Sequence, residues 1–332
     1  MQAAQLSVGL DVGGTKTAAL LVDPTGSVLG QSTVPTHTTN PDELLATITG
    51  AIHAVLAEAN ATPQQIQSIG LGVPGQVNPA TGVVKLAVNL NLQKFPLGST
   101  ISARFKVSTF LENDVRTAAI GAFNYLRQNE PVQSIAYVSI GTGIAAGVIL
   151  NGRLHRGNNG MAGEIGHIMF EPHGHLCNCG LRGCLETIVA GPAIIRQMNA
   201  TNPKSKIQSA GDVYEAAIQG SKAARTIVQH VSQHLSRVIQ WLIMTYDVEK
   251  IVLGGGVTRS GDAFLAPILH ELARLRQQST LAADLLLDEK LYLIPPDYNP
   301  GVWGAVHLAG QTVSETVTNL SANDGSRSSL KT

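Results

Sequence analysis

The stretch LSVGLDVGGTKTAALLV, residues 6–22, decides the fold of this chain. Two apolar runs flank the turn Gly13-Gly14-Thr15, which predicts a β-hairpin. A second stretch, SIAYVSIGTGIAAGVIL at 134–150, repeats the pattern, with Gly141-Thr142-Gly143 falling on the first turn and Ile140 falling on Val12. Two matching hairpins, each with a glycine-threonine turn, indicate a duplicated α/β fold.

The segments around the hairpins predict further strands and helices. Asn40-Pro41-Asp42-Glu43 carries the N-cap, first-turn proline and acidic residue that begin a helix, and apolar residues follow at helical spacing to residue 56. A predicted strand at 107–111 runs into Asn113 and Asp114 before a helical stretch. The other predicted elements are strands at 67–73, 250–253 and 290–294, helices near 211–246 and a last helix at 301–309.

The composition indicates a folded chain without a surface for polyanions. The 332 residues are 44% hydrophobic with a mean hydropathy of +0.12, Lys plus Arg and Asp plus Glu are both 23, and aromatic residues are 4%. These values argue against disorder and against nucleic-acid binding. Neither a secretory signal pattern nor an apolar run near the roughly 20 residues of a membrane helix is present. We expect a soluble, cytoplasmic protein with no nucleic-acid or membrane partner.

The glycine turns are candidate phosphate-binding sites, although each alone could be an ordinary tight turn. Glycine lets backbone N–H groups approach phosphate oxygens closely, and threonine adds a hydroxyl donor. A P-loop does not fit, because Thr15 separates Gly14 from Lys16 and a strand follows instead of a helix. A dinucleotide fingerprint starting at Gly254 fails because Arg259 occupies the position of its third glycine.

Three cysteines lie within eight positions, at Cys177, Cys179 and Cys184. Thiolates this close on a glycine-rich loop suit a tetrahedral zinc site, which needs a fourth ligand such as His167, His173 or His175. A disulfide between Cys177 and Cys179 would be strained and would leave Cys184 over, while three reduced thiols are a further alternative. A Cys₃His site has no evident position for water, so we expect the zinc to be structural.

Polar residues flank this loop on both sides. Glu164, His167 and Glu186 are singly typical of solvated or capping positions. Together, two carboxylates and an imidazole around one rigid turn predict a site for a polyhydroxyl ligand. Asp114, which precedes a helical run, is first interpreted as an N-cap.

Four motifs resemble the ROK family (repressors, open reading frames and sugar kinases). They are Asp11-Val12-Gly13-Gly14-Thr15-Lys16, Glu112-Asn113-Asp114, Glu164-Ile165-Gly166-His167 and the cysteine run that ends in Cys184-Leu185-Glu186. The resemblance runs from Leu6 to about Ala309. It implies a two-domain actin-like ATPase (ribonuclease H-like) fold, with a smaller domain of residues 1–117 and 298–312 and a larger one of 118–297. The polar composition of 313–332 predicts a mobile tail.

The resemblance also implies roles for individual residues. Asp114 would be the base at the sugar hydroxyl. Other sugar contacts would come from Gly75, Asn89, Asn113, Glu164, His167 and Glu186. Zinc would be bound by His167, Cys177, Cys179 and Cys184, which selects His167 over the two other histidines. Asp11 would attend Mg²⁺ through water. The phosphates of ATP would be held by Gly13, Gly14, Thr15, Lys16, Gly141, Thr142 and Gly143, and the adenosine bordered by Gly254, Gly255 and Gly256.

The function that the resemblance implies is that of an ATP-dependent hexose kinase, similar to glucokinase, acting on the 6-hydroxyl of glucose or a similar aldohexose. The alternatives are an N-acetylglucosamine or N-acetylmannosamine kinase and a non-catalytic sugar sensor. Many relatives are homo-oligomers, so we expect a homodimer or homotetramer. Family repressors carry an N-terminal helix-turn-helix domain, whereas here the hairpin begins near Met1, so we do not expect a DNA-binding repressor. Ala145 and Ala146 stand where many relatives have glycines.

Overall fold

The computed structural model describes residues 5–201 and 207–310. Within them the chain forms two compact units, one reaching Tyr125 and resuming at Asn299, the other spanning Leu126–Tyr298. The predicted division at 117 falls inside a helix, Asp114–Arg127, and the structure divides the chain near the end of that helix. The tail predicted at 313–332 lies outside the described residues. In the described ranges no helix combines the length and apolar character that crossing a membrane requires.

The first unit contains two sheets and their covering helices. Its strands are β1 (Leu6–Val12), β2 (Lys16–Val22), β3 (Val28–Pro35), β4 (Ile66–Val73), β5 (Gln76–Asn78), β6 (Val83–Ala87), β7 (Leu92–Phe95) and β8 (Ser108–Asn113). Its helices are α1 (Pro41–Glu58), α2 (Leu97–Phe105), α3 (Asp114–Arg127) and a last helix over 300–310. The sheet β5-β6-β7 and helix α2 were not predicted from the sequence.

The main sheet of the first unit has the order β3-β2-β1-β4-β8. The first three strands pair antiparallel, and β4 and β8 continue the sheet in parallel. One face packs on α1, whose N-cap Asn40 accepts a hydrogen bond from the Glu43 N–H as the sequence predicts. The parallel strands β1, β4 and β8 bring their carboxyl ends to one edge, where Asp11, Asn113 and Asp114 lie.

The last helix crosses β1 and β4 at close range. A Cβ on Gly9 would lie 2.6 Å from the Val302 carbonyl oxygen, and one on Gly70 would overlap the Ala305 carbonyl oxygen. Only glycine allows this approach of helix and sheet backbones. The contact fixes the start of the helix beside the end of β1.

The second unit repeats the sheet topology of the first. Its strands are β9 (Ile135–Ile140), β10 (Ile144–Leu150), β11 (Arg153–His155), β12 (Lys250–Gly254) and β13 (Leu291–Leu293), in the order β11-β10-β9-β12-β13. Three strands are again antiparallel and two continue in parallel. Val12 and Ile140 each end a leading strand before a three-residue turn. The predicted duplication of the α/β core is confirmed.

Helices pack on this second sheet, and the apolar side chains between sheet and helices form the core of the second unit. They are α4 (Glu186–Val189), α5 (Gly191–Thr201), α6 (Ala210–Ile218), α7 (Lys222–Tyr246), α8 (Asp262–Gln278) and α9 (Thr280–Leu285). The longest, α7, buries Val231, Leu235 and Leu242 against the strands and neighbouring helices. The sequence predicted helices in the region of α6 and α7, whereas α5 and α8 were not predicted.

Candidate active site

Two carboxylates lie at the carboxyl edge of the first sheet. Asp11 is the next-to-last residue of β1, and Asp114 begins α3 directly after β8. Burial raises the pKa of Asp11 to about 6, and the charge of Asp114 acts in the same direction, while Lys16 and Asn299 oppose it. The two acids are therefore close enough to repel each other, which is an arrangement that a divalent cation would relieve.

Asn113 caps α3 and holds Asp114. Its Oδ1 accepts hydrogen bonds from the N–H groups of Val115 at 3.1 Å and Arg116 at 3.2 Å. Its Nδ2 donates to Asp114 Oδ1 at 2.9 Å and to the Gly75 carbonyl oxygen at 3.2 Å. The interpretation of Asp114 as the N-cap is wrong by one residue, because Asn113 makes the capping bonds and thereby orients the carboxylate.

A buried ion pair anchors the same junction. Glu112 is fully buried, and its Oε1 accepts from Arg116 Nε and from the Asn113 N–H, both at 2.9 Å. A charge in this position requires such a partner, since an unpaired buried carboxylate is costly. Glu112, quoted only as part of a motif, thus holds the strand end and helix start together.

The start of the last helix faces Asp11. Asn299 Oδ1 accepts from the N–H groups of Gly301 at 3.1 Å and Val302 at 3.4 Å, so it caps the helix. A Cβ on Gly301 would lie 2.5 Å from Asp11 Oδ2. Sequence reasoning missed Asn299 and Gly301, although Asn299-Pro300 carries the same capping signal that located α1.

The first glycine turn is closed by a hydrogen bond from the Gly13 N–H to the Lys16 carbonyl oxygen at 3.0 Å. Gly14 lies against Asn89, since a Cβ there would be 3.1 Å from the Asn89 carbonyl oxygen. The structure therefore places Asn89 beside the candidate phosphate turn, while Gly75 is joined to Asn113.

The second unit contains a cavity of about 790 Å³ beside the other glycine turn. Its wall includes Gly141, Thr142 and Gly256, with Gly191 at the start of α5. The Gly191 N–H donates to the Gly141 carbonyl oxygen at 2.8 Å, which ties the turn to that helix. Of the predicted adenosine residues, Gly256 lines the cavity.

The two other glycines of that group shape the turn after β12. Gly255 has a φ of +98°, and a Cβ there would lie 2.5 Å from the Ile140 carbonyl oxygen. Gly254 packs on the Tyr137 ring. Gly254 and Gly255 thus allow the end of β12 to approach β9.

Polar groups from α6 and from the turn after β12 complete the cavity wall. They are Ser209, Asp212, Glu215, Arg259 and Ser260. Tyr214 also contributes, and its hydroxyl oxygen is buried with no hydrogen-bond partner among the described residues. A cavity lined by glycines and several polar side chains is of a kind that can take a nucleotide. Sequence reasoning missed these residues because no motif marks them.

Glu186 connects the cysteine loop with the second glycine turn. It begins α4, and its carboxylate occupies the space that a side chain on Gly143 would need. A hydrogen-bonding carboxylate is thereby held directly at the turn.

Glu164 and His167 lie on a short turn that packs on β10. A Cβ on Gly163 or Gly166 would overlap the carbonyl oxygens of Ala146 and Ile144, respectively. The Ala146 N–H donates to the Gly163 carbonyl oxygen at 2.8 Å, and Ala146 is 2% exposed. The alanines that depart from the family pattern therefore lie in a regular strand.

The cysteine loop gathers four metal-binding side chains. His167 Nδ1 is 3.6 Å from Cys177 Sγ, and Cys179 Sγ is 3.6 Å from Cys184 Sγ. All four ligand atoms lie within 4.8 Å of one another. Zinc bonds of about 2.3 Å to sulfur and 2.0–2.1 Å to nitrogen place tetrahedral ligands about 3.5–3.8 Å apart. The set fits zinc, and His173 and His175 are outside it.

Two thiols of the loop have pKa values shifted in opposite directions. Burial raises the pKa of Cys184 to about 12, and the neighbouring cysteines act in the same direction. A hydrogen bond from the Leu181 backbone lowers the pKa of the exposed Cys179. A metal ion bound by this loop would have to displace the proton of Cys184.

The profile of the ROK family matches residues 7–311 of the sequence. The chain belongs to the ROK family. It is 33% identical to a glucokinase of Halalkalibacterium halodurans over 79% of this chain and 83% of that protein. The N-acetylglucosamine repressor of Escherichia coli is 28% identical over 79% of this chain and 66% of its own length. The ROK family thus includes both enzymes and regulators among the relatives of this chain.

Solved structures of ROK proteins share its fold. A ROK hexokinase from Thermus thermophilus superimposes with a TM-score of 0.79 at 28% identity, covering 94% of this chain and all of that one. A ROK glucokinase from Streptomyces griseus, solved with glucose and AMPPNP, has a TM-score of 0.73 at 26% identity and covers 92% and 99%. The fold is the mixed α/β, actin-like ATPase type found in ROK kinases.

Proposed function

We propose that this ROK protein is an ATP-dependent glucose kinase that transfers the γ-phosphoryl group to the 6-hydroxyl of glucose. The observation that carries the proposal is the Asn113–Asp114 pair beside Asp11, because a regulator that only binds sugar has no need of an oriented carboxylate next to a second one. The glucokinase relatives and the glycine-lined cavity support the same function.

Asp114 takes or orients the proton of the attacking hydroxyl. The hydrogen bond from Asn113 fixes the direction of its carboxylate before the sugar binds. General-base groups of this kind contribute roughly 10² to 10⁴ in rate. Asn113, Glu164, His167 and Glu186 bind the remaining hydroxyls through directional hydrogen bonds.

Asp11 holds Mg²⁺ through water in this proposal. Carboxylate oxygens are the ligands that Mg²⁺ prefers, and the charge repulsion between Asp11 and Asp114 favours a cation there. When bound, Mg²⁺ neutralises charge on the phosphates during transfer. The turns Gly13–Lys16 and Gly141–Gly143 supply N–H donors to the phosphates, and the cavity at Gly256 takes the adenosine.

Zinc is proposed as a structural ion of the cysteine loop. His167 contributes Nδ1 on the cysteine side, which leaves Nε2 for a sugar hydroxyl. An ion on one nitrogen fixes the tautomer and orientation of the ring. Zinc therefore supports sugar binding without entering the reaction.

The location and assembly are further parts of the proposal. We propose a cytoplasmic homodimer or homotetramer that acts without nucleic acid, on the basis of its resemblance to ROK kinases. Light scattering of the purified protein measures the assembly, and a monomer would contradict this part alone.

The experiment measures ADP release from Mg·ATP with glucose, mannose, N-acetylglucosamine and N-acetylmannosamine. We expect glucose to stimulate turnover most strongly. Preference for an N-acetylhexosamine would instead support an N-acetylglucosamine or N-acetylmannosamine kinase. Sugar binding without turnover by any of the four would overturn the kinase and support the sensor, which the regulator relatives make the second candidate.

A further inference from the structure

A second group of metal-binding side chains lies beyond the cysteine site. Glu171 is in the loop between His167 and Cys177, and His230 and His234 lie one turn apart on α7. Their Nε2 atoms are 2.8 Å and 3.6 Å, respectively, from the same oxygen, Glu171 Oε1. The three ligand atoms lie within 4.8 Å of one another. The proposed kinase reaction uses none of these three residues.

The proton of the His230 ring is located by Gln197. Gln197 Nε2 donates to the carbonyl oxygens of Ile188 at 2.7 Å and Ala193 at 3.2 Å. Because those partners can only accept, the amide oxygen must be the atom that faces His230 Nδ1 at 3.2 Å. An amide oxygen accepts as well, so His230 Nδ1 carries a proton.

The same reasoning locates the proton of the His234 ring. Its Nδ1 is 2.8 Å from the carbonyl oxygen of His230 and therefore donates to it. A neutral ring protonated at Nδ1 presents a lone pair at Nε2. Both Nε2 lone pairs thus point at a carboxylate oxygen, which is an acceptor too.

One added proton would satisfy only one of these contacts. A proton on His230 Nε2 would serve the 2.8 Å contact and would leave His234 Nε2 still facing the same carboxylate oxygen at 3.6 Å. The His234 side chain is 7% exposed. The three acceptors converge within 4.8 Å, and a shared cation would satisfy all three at once.

We propose that Glu171, His230 and His234 bind a divalent transition-metal ion such as Zn²⁺. Bonds of 2.0–2.2 Å to nitrogen and oxygen place neighbouring ligands about 3–3.5 Å apart, close to the observed separations. Histidines that bind metals commonly donate the other ring N–H to a carbonyl group, as both do here. The Glu171 and His230 side chains are 38% and 36% exposed, which leaves room for water ligands.

This ion connects the cysteine loop to α7. The N–H groups of Phe170 and Glu171 donate to the Gly183 carbonyl oxygen at 2.8 Å and 3.1 Å, and Gly183 directly precedes Cys184. A metal bond at Glu171 therefore restrains the loop at a second point, separate from its thiolates.

The test counts metal ions in the untagged, full-length protein after dialysis against Zn²⁺ and, separately, Co²⁺. Cobalt bound to thiolates shows sulfur-to-metal charge-transfer absorption, whereas cobalt on nitrogen and oxygen does not. We expect the parent protein to bind one metal ion that gives no charge-transfer absorption. The control His270→Ala, which removes an exposed histidine of α8, should bind it equally well. In Glu171→Gln and in His230→Ala, the affinity for that ion should fall at least tenfold, as measured by titration calorimetry.

The ion at Glu171, His230 and His234 can be tested separately from the ion of the cysteine loop and from catalysis. Cys184→Ser should reduce the thiolate absorption and leave the second ion in place. Circular dichroism checks the fold of each variant, and Glu171→Gln keeps the shape of the side chain. The proposal is overturned when the parent lacks an ion without thiolate absorption, or when that ion binds Glu171→Gln and His230→Ala as tightly as it binds the parent. Neither result depends on whether glucose is phosphorylated.

Discussion

The two sheets share one topology but end in different chemistry. The next-to-last residue of the leading strand is Asp11 in the first sheet and Ser139 in the second. The residue that begins the next strand is Lys16 in the first and Ile144 in the second. The first copy thus places charges at its carboxyl edge, whereas the second places a cavity and a cysteine loop there. A duplicated scaffold fixes where functional loops lie, and the individual residues decide what they do.

The largest expected effect is the loss of activity on substitution of Asp114, at the carboxyl edge of the first sheet. Asp114→Asn should lower kcat with glucose by roughly 10² to 10⁴ and change the KM for glucose only a few-fold, because the amide keeps the shape but cannot take a proton. Steady-state ADP release measures both constants. Asp284→Asn, an exposed position of the second unit, is the matched control and should have parental kinetics.

A second comparison sets a buried ion pair against an exposed one. Glu112→Ala leaves Arg116 buried without its carboxylate and should reduce the free energy of unfolding by about 3–5 kcal/mol. Asp288→Ala in the second unit removes a pair in which Asp288 is 53% exposed and should cost about 1 kcal/mol or less. Urea unfolding monitored by circular dichroism compares the two. Equal losses would mean that burial does not separate the pairs.

The charge of Asp11 should destabilise the first unit at neutral pH. Its folded-state pKa of about 6 exceeds the usual 3.8, so the native protein binds more protons than the unfolded one between these values. Stability therefore falls as the pH rises through this window. Asp11→Asn should raise the free energy of unfolding by about 1 kcal/mol above pH 7 and by almost nothing near pH 4.

The controls for Asp11 come from the second copy and from activity. Ser139→Ala, at the matching position, should show no such pH-dependent gain in urea unfolding at pH 4 and pH 8. Asp11→Asn should lose most of the glucose kinase activity despite its higher stability. A gain of the same size at both pH values would contradict the raised pKa.

The smallest expected effect comes from substitution of Lys16, the charged residue that stands where the second sheet has Ile144. Its charge lowers the pKa of Asp11, so Lys16→Met should move the acidic limb of the pH–activity profile to higher pH. It should also reduce kcat/KM for Mg·ATP about threefold to tenfold, corresponding to about 1 kcal/mol. Profiles of kcat/KM between pH 5 and 9 measure both changes. A shift to lower pH would be the opposite of the expected sign.

Regular and capped elements could be predicted from the sequence, while close approaches could not. Apolar spacing and Asn40-Pro41 located α1, and the repeated glycine turns revealed the duplication. The pairing of Glu112 with Arg116 could not be inferred, because the sequence does not show that both side chains are buried where the strand passes into the helix. The cavity residues on α5 and α6 were missed for a related reason, since only the folded chain brings Gly191 to Gly141.

The contact of the last helix with Gly9 and Gly70 has a consequence for the order of events during synthesis. The second unit is one continuous stretch, Leu126–Tyr298, and all of it leaves the ribosome before residues 300–310 do. The sheet of the first unit, although its strands precede the second unit in the chain, lacks the helix that covers β1 and β4 until residues 300–310 are synthesised. Until then, one face of this sheet is exposed to solvent. A nascent chain with exposed apolar surface is prone to aggregation and is bound by chaperones.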